Sequence, residues 1–501
     1  MAEKDRNSYG SIFKAIGLFG GVKVIQILVG IIKNKLVAVL LGPNGMGIFG
    51  LITSNTQLVK TITDCGLHTS SIREISKAYT SGDEDRASRT LSVFRKLVIL
   101  TGLIGSIIVL AFAEQLSQIS FGNHDYSLAF RLVSVTLFLD QLCVGQTALM
   151  QGTFHYKWMA RSSLLGSVIG LLVSIPLYYL WGEKAIVPVI VLSSVTALLL
   201  SWFYSNKVRI KHSSVTMKEA LIEGRGMLYL GIAIAASSIV RVGKAYGLRI
   251  FISHFGSIAE VGLFTSGMAI SIQYVDVILT SMGSDYSPRL SAIVDDNAKF
   301  VETINKQIRL MCAILLPIMV LFIVFVKELV IVLYSKEFIA IEGMVVWMMF
   351  SMFLRAISWC LSFPLVAIGN PKLYFWNEFS SELYSLVFSM IGYYYLSFFG
   401  LGLAFFMTQL CFTLQMFIVS RKFYNFKLTD NNRKAIIYNI LLLSVLFFVL
   451  LFFKGSVLGY VLCGCVFILA VYYFYNQINE MVNVKAFIQS KLKKNNHGNN
   501  F

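Results

Sequence analysis

Nine basic residues sit inside stretches apolar enough to cross a membrane: Lys23, Lys33, Lys35, Lys60, Arg131, Arg241, Lys244, Arg249 and Arg355. A lone cation at the bilayer centre costs about 2.5 to 3.5 kcal/mol on insertion scales, so such side chains face a wet interior, an acidic partner or an anionic ligand. Arg241 and Lys244 are three residues apart and Arg249 lies eight beyond Arg241, with Ser237, Ser238 and Gly243 beside them. On a helix these positions fall near one face, and the chemistry that face offers is anion binding. Arg241 and Lys244 lie mid-span, whereas Arg249 is close enough to the end of its span to snorkel to the interface. Lys23 has no acidic neighbour in its own helix and joins that pair as a candidate. Lys60 and Asp64 are four apart, the spacing of a helical ion pair. Arg131, Arg355, Asp140 and Asp276 are single intramembrane charges that fit interhelical pairs as well as ligand contacts, and the two aspartates are also the candidates for a proton-coupled switch.

A second polar pattern runs through Glu378, Ser381, Glu382, Ser385 and Ser389, one stripe on an otherwise aromatic helix. Carboxylates and hydroxyls on a cavity face suit sugar hydrogen bonds; helix packing through serine gives the same stripe. The seven cysteines all lie in or beside apolar spans without metal-ligand spacing, and the six histidines are scattered. Gly45, Gly47 and Gly50 match the dinucleotide-binding string, but no strand precedes them and they join two apolar helices. We therefore expect no catalytic residue, no metal and no cofactor.

The elements that must hold these residues are membrane helices. Of 501 residues, 56% are hydrophobic and 14% charged, which excludes a soluble globular chain and a disordered one. The net charge of +17 gathers in short breaks between apolar runs, where membrane topology explains it and nucleic-acid binding does not. The chain divides into about 14 apolar spans, near 12–40, 45–70, 93–116, 127–152, 158–181, 185–206, 226–254, 259–284, 306–333, 341–368, 372–398, 401–420, 435–453 and 456–475. The first reads as a spanning helix and not a cleaved leader, because it runs into Lys33-Asn34-Lys35 without a small-residue cleavage site. With both termini in the cytoplasm, about 30 of the 43 Lys and Arg fall on the cytoplasmic side and about four, Lys184, Lys327, Lys336 and Lys454, on the other. All connections are short, which leaves no room for an extramembrane catalytic domain.

Two segments share one pattern. Lys35, Gly42, Gly47-Ile48-Phe49 and Arg73 are matched by Arg249, Gly256, Gly262-Leu263-Phe264 and Arg289. Six spans separate the copies, so both enter the membrane from the same side, as in a parallel repeat with a substrate site between two bundles. The expected fold is all-α and polytopic, with an N-terminal six-helix bundle over 1–212 and a second over 213–428, related by a parallel pseudo-two-fold. Two peripheral helices over 429–480 and a basic cytoplasmic tail over 481–501 complete it.

The run from Lys35 through Gly42-Pro43 to Leu51 (KLVAVLLGPNGMGIFGL) resembles the opening signature of bacterial polysaccharide flippases, particularly O-antigen translocases, of the multidrug/oligosaccharidyl-lipid/polysaccharide exporter superfamily. The likeness in helix number, two halves and two appended helices covers the whole chain. It implies alternating access in the bacterial inner membrane, with two bundles rocking about a cationic cavity to pass a polyprenyl-pyrophosphate-linked oligosaccharide from the cytoplasmic to the periplasmic leaflet. Arg241, Lys244 and Lys23 would then contact the pyrophosphate, with Arg131 and Arg355 as further contacts, and Glu378, Ser381, Glu382 and Ser385 the sugars. The implied partners are the lipid-linked oligosaccharide, membrane lipids and other membrane proteins of polysaccharide assembly, with no nucleic acid. A drug or cation antiporter of the same superfamily would favour an acidic cavity, against nine basic and five acidic intramembrane residues here. A peptidoglycan-precursor flippase would share the basic cavity, and a glycan polymerase would need a substantial external loop.

Overall fold

In the computed structural model the described residues are 2–208, 213–273, 293–368, 370–453 and 455–482, with scattered positions between 278 and 291; side chains are described from residue 25, apart from a few positions. All secondary structure among them is helical. The chain forms two compact units, Met1–Ser266 with Leu333–Phe338, and Gly267–Val332 with Ile339–Phe501. Along the first run α1 (Ala2–Thr63), α2 (Leu67–Thr80), α3 (Glu84–Ala111), α4 (Ala113–Phe121), α5 (Ser127–Gly152), α6 (Tyr156–Trp181), α7 (Ile186–Ser205), α8 (Met217–Glu223), α9 (Arg225–Phe255) and α10 (Ile258–Met268). Then come α11 (Asn297–Val324), α12 (Val326–Leu333), α13 (Glu342–Ala367), α14 (Pro371–Tyr424), α15 (Asp430–Phe453) and α16 (Val457–Val482).

Among the described residues nine helices are long and apolar enough to cross a membrane, and the bent pair Arg225–Ile232 and Ala235–Phe255 would make a tenth. Three of the nine, of 39, 50 and 53 residues, far exceed the roughly 20 that a bilayer needs. Each doubles back. In α1 the turn is at Gly42, whose φ of 64° suits a residue without Cβ, followed by Pro43, which has no N–H to continue the helix. The Lys33 ammonium consequently lies 5.9 Å from the centre of the Phe49 ring, where a straight helix would hold those residues about 24 Å apart. Within α14 the reversal is at Ser397, with φ of 50°. There a methyl placed on Gly392 would come within 3.3 Å of the Ala404 Cβ. The turn Gly182–Ala185 separates α6 from α7, which pack on each other.

In the first unit the second half of α1 packs antiparallel to α9 and the start of α10. Gly66 meets Gly231, Asn55 Nδ2 donates to the Tyr246 hydroxyl at 2.5 Å, and Gly47 meets Ile258, so positions that rise on one helix fall on the other. The closest approach is reciprocal. A methyl on Gly47 would lie 1.9 Å from the Ile258 carbonyl oxygen, and one on Gly262 1.9 Å from that of Pro43. The two copies of the sequence motif therefore press backbone against backbone, which is the physical reason both keep glycine.

The short α8 follows a capping box in which Thr216 Oγ1 accepts from Glu219 N–H and the Glu219 carboxylate accepts from Thr216 N–H. Arg89 holds it to α3 through Glu223. That hydrogen bond holds the Glu223 carboxyl below its ordinary range, and the Thr216 N–H does the same for Glu219. In the second unit α13 is central, with most of its side chains from Met344 to Leu365 buried, and α11 packs against α13, α15 and α16. Arg309 on α11 donates to Gln477 Oε1 at 2.5 Å and pairs with Glu480, while Asn432 Nδ2 donates to Asn305 Oδ1 at 2.8 Å. These bonds tie α15 and α16 to α11 at one end.

Overpacking the reciprocal glycines should cost about 1 to 3 kcal/mol, so Gly262→Leu and Gly47→Leu should lower the thermal midpoint of purified protein. Gly247→Ala, where a Cβ meets nothing within 4 Å, should leave it unchanged. Because both α8 carboxylates titrate low in the folded state, their stabilisation is present above the ordinary glutamate pKa of about 4.3 and lost as pH falls below it. Intrinsic-rate-corrected hydrogen exchange at 217–223 should be flat from neutral pH down to that point and rise below it.

Candidate functional site

The side of α9 turned to α1 carries Gly231, Gly243 and Tyr246, since a Cβ on Gly243 would touch Leu58 at 3.9 Å and Tyr246 bonds Asn55. At roughly 100° per residue, Arg241 and Lys244 then point away from α1. Arg241 is exposed and Lys244 half-buried. Arg249 departs from the expected snorkelling. Its guanidinium donates to the Ala245 carbonyl at 3.0 Å and to Thr265 Oγ1 at 3.3 Å, and sits 5.7 Å from the centre of the Phe264 ring. A helical side chain leans toward the N-terminus of its helix, so Arg249 finds these partners one turn back and across on α10 instead of reaching for the helix end.

Lys60 is also paired differently from the sequence expectation. Its ammonium lies 3.5 Å from Asp140 on α5, while Asp64 accepts from Gln141 Nε2 at 2.7 Å. Gln141 in turn donates to Thr101 Oγ1 on α3 at 3.0 Å, so one polar network crosses α1, α3 and α5. The helical spacing of Lys60 and Asp64 lost to partners on a packed neighbour. Arg131 forms an ion pair of 2.6 Å with Glu114 on α4, and both side chains are about half exposed. Asn55 and Ser120 both bond the Tyr246 hydroxyl, joining α1, α4 and α9, and Asn55 Oδ1 is buried without a partner among the described residues.

The Lys23 side chain and the whole of Asp276 lie outside the described residues. Arg355 is half-buried on α13. On α14, Glu378, Ser381 and Glu382 are half-buried, and Ser381 Oγ donates to its own helix at the Glu378 carbonyl. Ser385 and Ser389 are 2% and 1% exposed. They sit toward the reversal at Ser397, and the same helix is held to its returning half by Gln415 Nε2, which donates to Asn377 Oδ1 at 2.7 Å and Ser380 Oγ at 3.0 Å. The structure thus gathers Arg241 and Lys244 on one face of α9 within the first unit, and the α14 stripe separately within the second. Sequence reasoning missed Glu114, Thr265 and the Tyr246 network. The aromatic partners Phe49 and Phe264 were visible as the ends of the repeated motif, whereas no sequence spacing links Arg131 to Glu114.

If Lys60 and Asp140 neutralise each other, removing one leaves the other uncompensated. Asp140→Asn should destabilise by about 1 to 3 kcal/mol, and adding Lys60→Met should recover part of that loss in a double-mutant cycle of thermal stabilities. A cycle involving Asp64 should show no such recovery.

Residues 36–342, more than half of the chain, match the polysaccharide biosynthesis protein family. A Shigella flexneri protein described as an O-antigen transporter is 24% identical over 287 residues, 56% of this chain and 66% of that protein. The lipid III flippase of Escherichia coli (strain K12) is 21% identical over 378 residues, 73% of this chain and 88% of that protein. The chain thus spans just under two thirds of the first relative. Among solved structures the lipid II flippase MurJ in an inward closed conformation has the same fold, with a TM-score of 0.68 at 15% identity over 93% of this chain and 99% of that one. The motif between Lys35 and Leu51 pointed to the bacterial polysaccharide flippases, and the chain belongs to the polysaccharide biosynthesis protein family.

Proposed function

We propose that the chain is a flippase that carries a polyprenyl-pyrophosphate-linked oligosaccharide across the bacterial inner membrane by alternating access, and that it is a transporter and not an enzyme. The observation that carries this reading is the pair Arg241 and Lys244 on the side of α9 turned away from α1, one of them exposed in a helix otherwise apolar enough to span. A pyrophosphate sheds water to cross, and charge-assisted hydrogen bonds from Arg and Lys replace that water. The names of the two relatives support a lipid-linked oligosaccharide as cargo. Lys23 and Arg355 are further proposed contacts; Arg131, already paired with Glu114, is the weakest of the set. Glu378, Ser381 and Glu382 are proposed to meet the sugars and Asp276 to take part in coupling, while Asp140 is committed to its ion pair with Lys60. The repeat halves 1–212 and 213–428 are proposed as the moving bundles, with both termini cytoplasmic.

A ligand that binds only the folded state raises its stability. Purified protein should be stabilised by a polyprenyl-pyrophosphate oligosaccharide and not by a lipophilic cationic dye. Arg241→Gln should weaken the apparent affinity about tenfold, the scale of one lost charge-assisted contact. A response to the dye alone would instead favour the cation antiporter and make the basic residues structural.

A further inference from the structure

At the end of the second unit away from the Arg309 and Asn305 ties, α15 and α16 do not close onto their neighbours. A cavity of about 380 Å³ separates them from α11, α13 and α14. Its walls are apolar and aromatic, with Trp347, Phe399, Phe447 and Tyr460 among them, and Trp347 rests on Phe399 and Phe447 with ring centres 6.0 and 5.5 Å away. Three charged residues also line it: Lys327, Glu328 and Glu342.

All three stand where helices begin. Lys327 and Glu328 open α12 just after α11 ends, and Glu342 opens α13. The α14 reversal near Phe399 and the α15–α16 turn near Gly455 line the same cavity, so the ends of α11 and α15, the starts of α12, α13 and α16 and the bend of α14 converge at this level. Helix ends of a spanning unit lie at headgroup depth. The site is therefore an apolar slot whose polar rim stands in the headgroup layer, and Phe453 and Tyr460, 40% and 57% exposed, flank it on the lipid side.

We propose that this cavity holds one acyl chain of a bilayer phospholipid with an ethanolamine headgroup, its phosphate on Lys327 and its primary ammonium on Glu328 and Glu342. The charge pattern selects this class. One cation against two carboxylates repels a net anionic lipid and complements a zwitterion, and a primary ammonium donates hydrogen bonds to carboxylates that a quaternary one does not. The bound lipid fills the gap that the hydrogen bonds of the opposite end leave, and fixes α15 and α16 to the unit.

Delipidated full-length protein would be titrated in detergent with phosphatidylethanolamine, phosphatidylglycerol, phosphatidylcholine and a polyprenyl phosphate, and bound lipid counted by native mass spectrometry. Phosphatidylethanolamine should be retained in preference to the other three. Lys327→Glu, at an exposed position, should weaken it about tenfold, and Val346→Trp, which fills the slot, should abolish retention. Equal retention of the three phospholipids, preference for polyprenyl phosphate, or unchanged binding by Lys327→Glu would overturn the assignment.

Discussion

A hydrocarbon interior does not tolerate an uncompensated cation, and most of what distinguishes this chain follows from how it meets that constraint. The basic residues in its apolar stretches are met in different ways. Lys60 is met by Asp140, Arg131 by Glu114, Lys33 by the face of Phe49, and Arg249 by Thr265, the Ala245 carbonyl and the Phe264 ring. Each of these partners comes from the first unit, and each makes the cation part of the scaffold. Arg241 is different: it is exposed on the side of α9 turned from α1. Cations that the packing already satisfies are thus separated from one that it leaves exposed, and the exposed one is the cation proposed to meet the cargo.

The partners are available because the helices are held in a fixed register. Reciprocal contact of Gly47 with Ile258 and of Gly262 with Pro43 sets the antiparallel approach of α1 to α9 and α10. The same register places Asn55 on Tyr246, which also takes Ser120 from α4. In both motif copies a basic residue before the turn meets the phenylalanine after it, or lies two residues from one that does: Arg249 over Phe264, and Lys33, beside Lys35, over Phe49. Small residues that admit backbone contact are the usual currency of helix association in lipid, where burial of apolar surface drives nothing.

Much of this was legible in the sequence. Span length and hydropathy identify an all-helical membrane chain, and the glycine-aromatic motif led to the family. The reversals at Gly42 and between α6 and α7 follow from Gly-Pro and from a short polar break. The reversal at Ser397 lies in an aromatic run between Gly392 and Gly400, whose backbones meet across it, and the break expected between 398 and 401 falls within three residues of the turn. Pairing was the least legible layer. Helical spacing favoured Lys60 with Asp64, yet tertiary packing set Asp140 opposite the lysine and gave Asp64 to Gln141. Arg249 near a helix end suggested snorkelling, because nothing in one helix shows which hydroxyl its neighbour presents. The polar stripe of α14 read as one face, but its two lower serines are buried, and a periodicity cannot say how far along a helix a cavity extends.

The central claim is that Arg241 and Lys244 serve the cargo while Lys60 and Asp140 serve the fold. Transport of a fluorescent polyprenyl-pyrophosphate oligosaccharide across proteoliposomes tests it most directly. The doubly neutralised Arg241→Gln, Lys244→Gln protein should fold normally and lose at least about tenfold in transport rate, while Lys60→Met with Asp140→Asn keeps most of it. Full transport by the first protein together with loss in the second would contradict the account and place the pathway on α1 and α5.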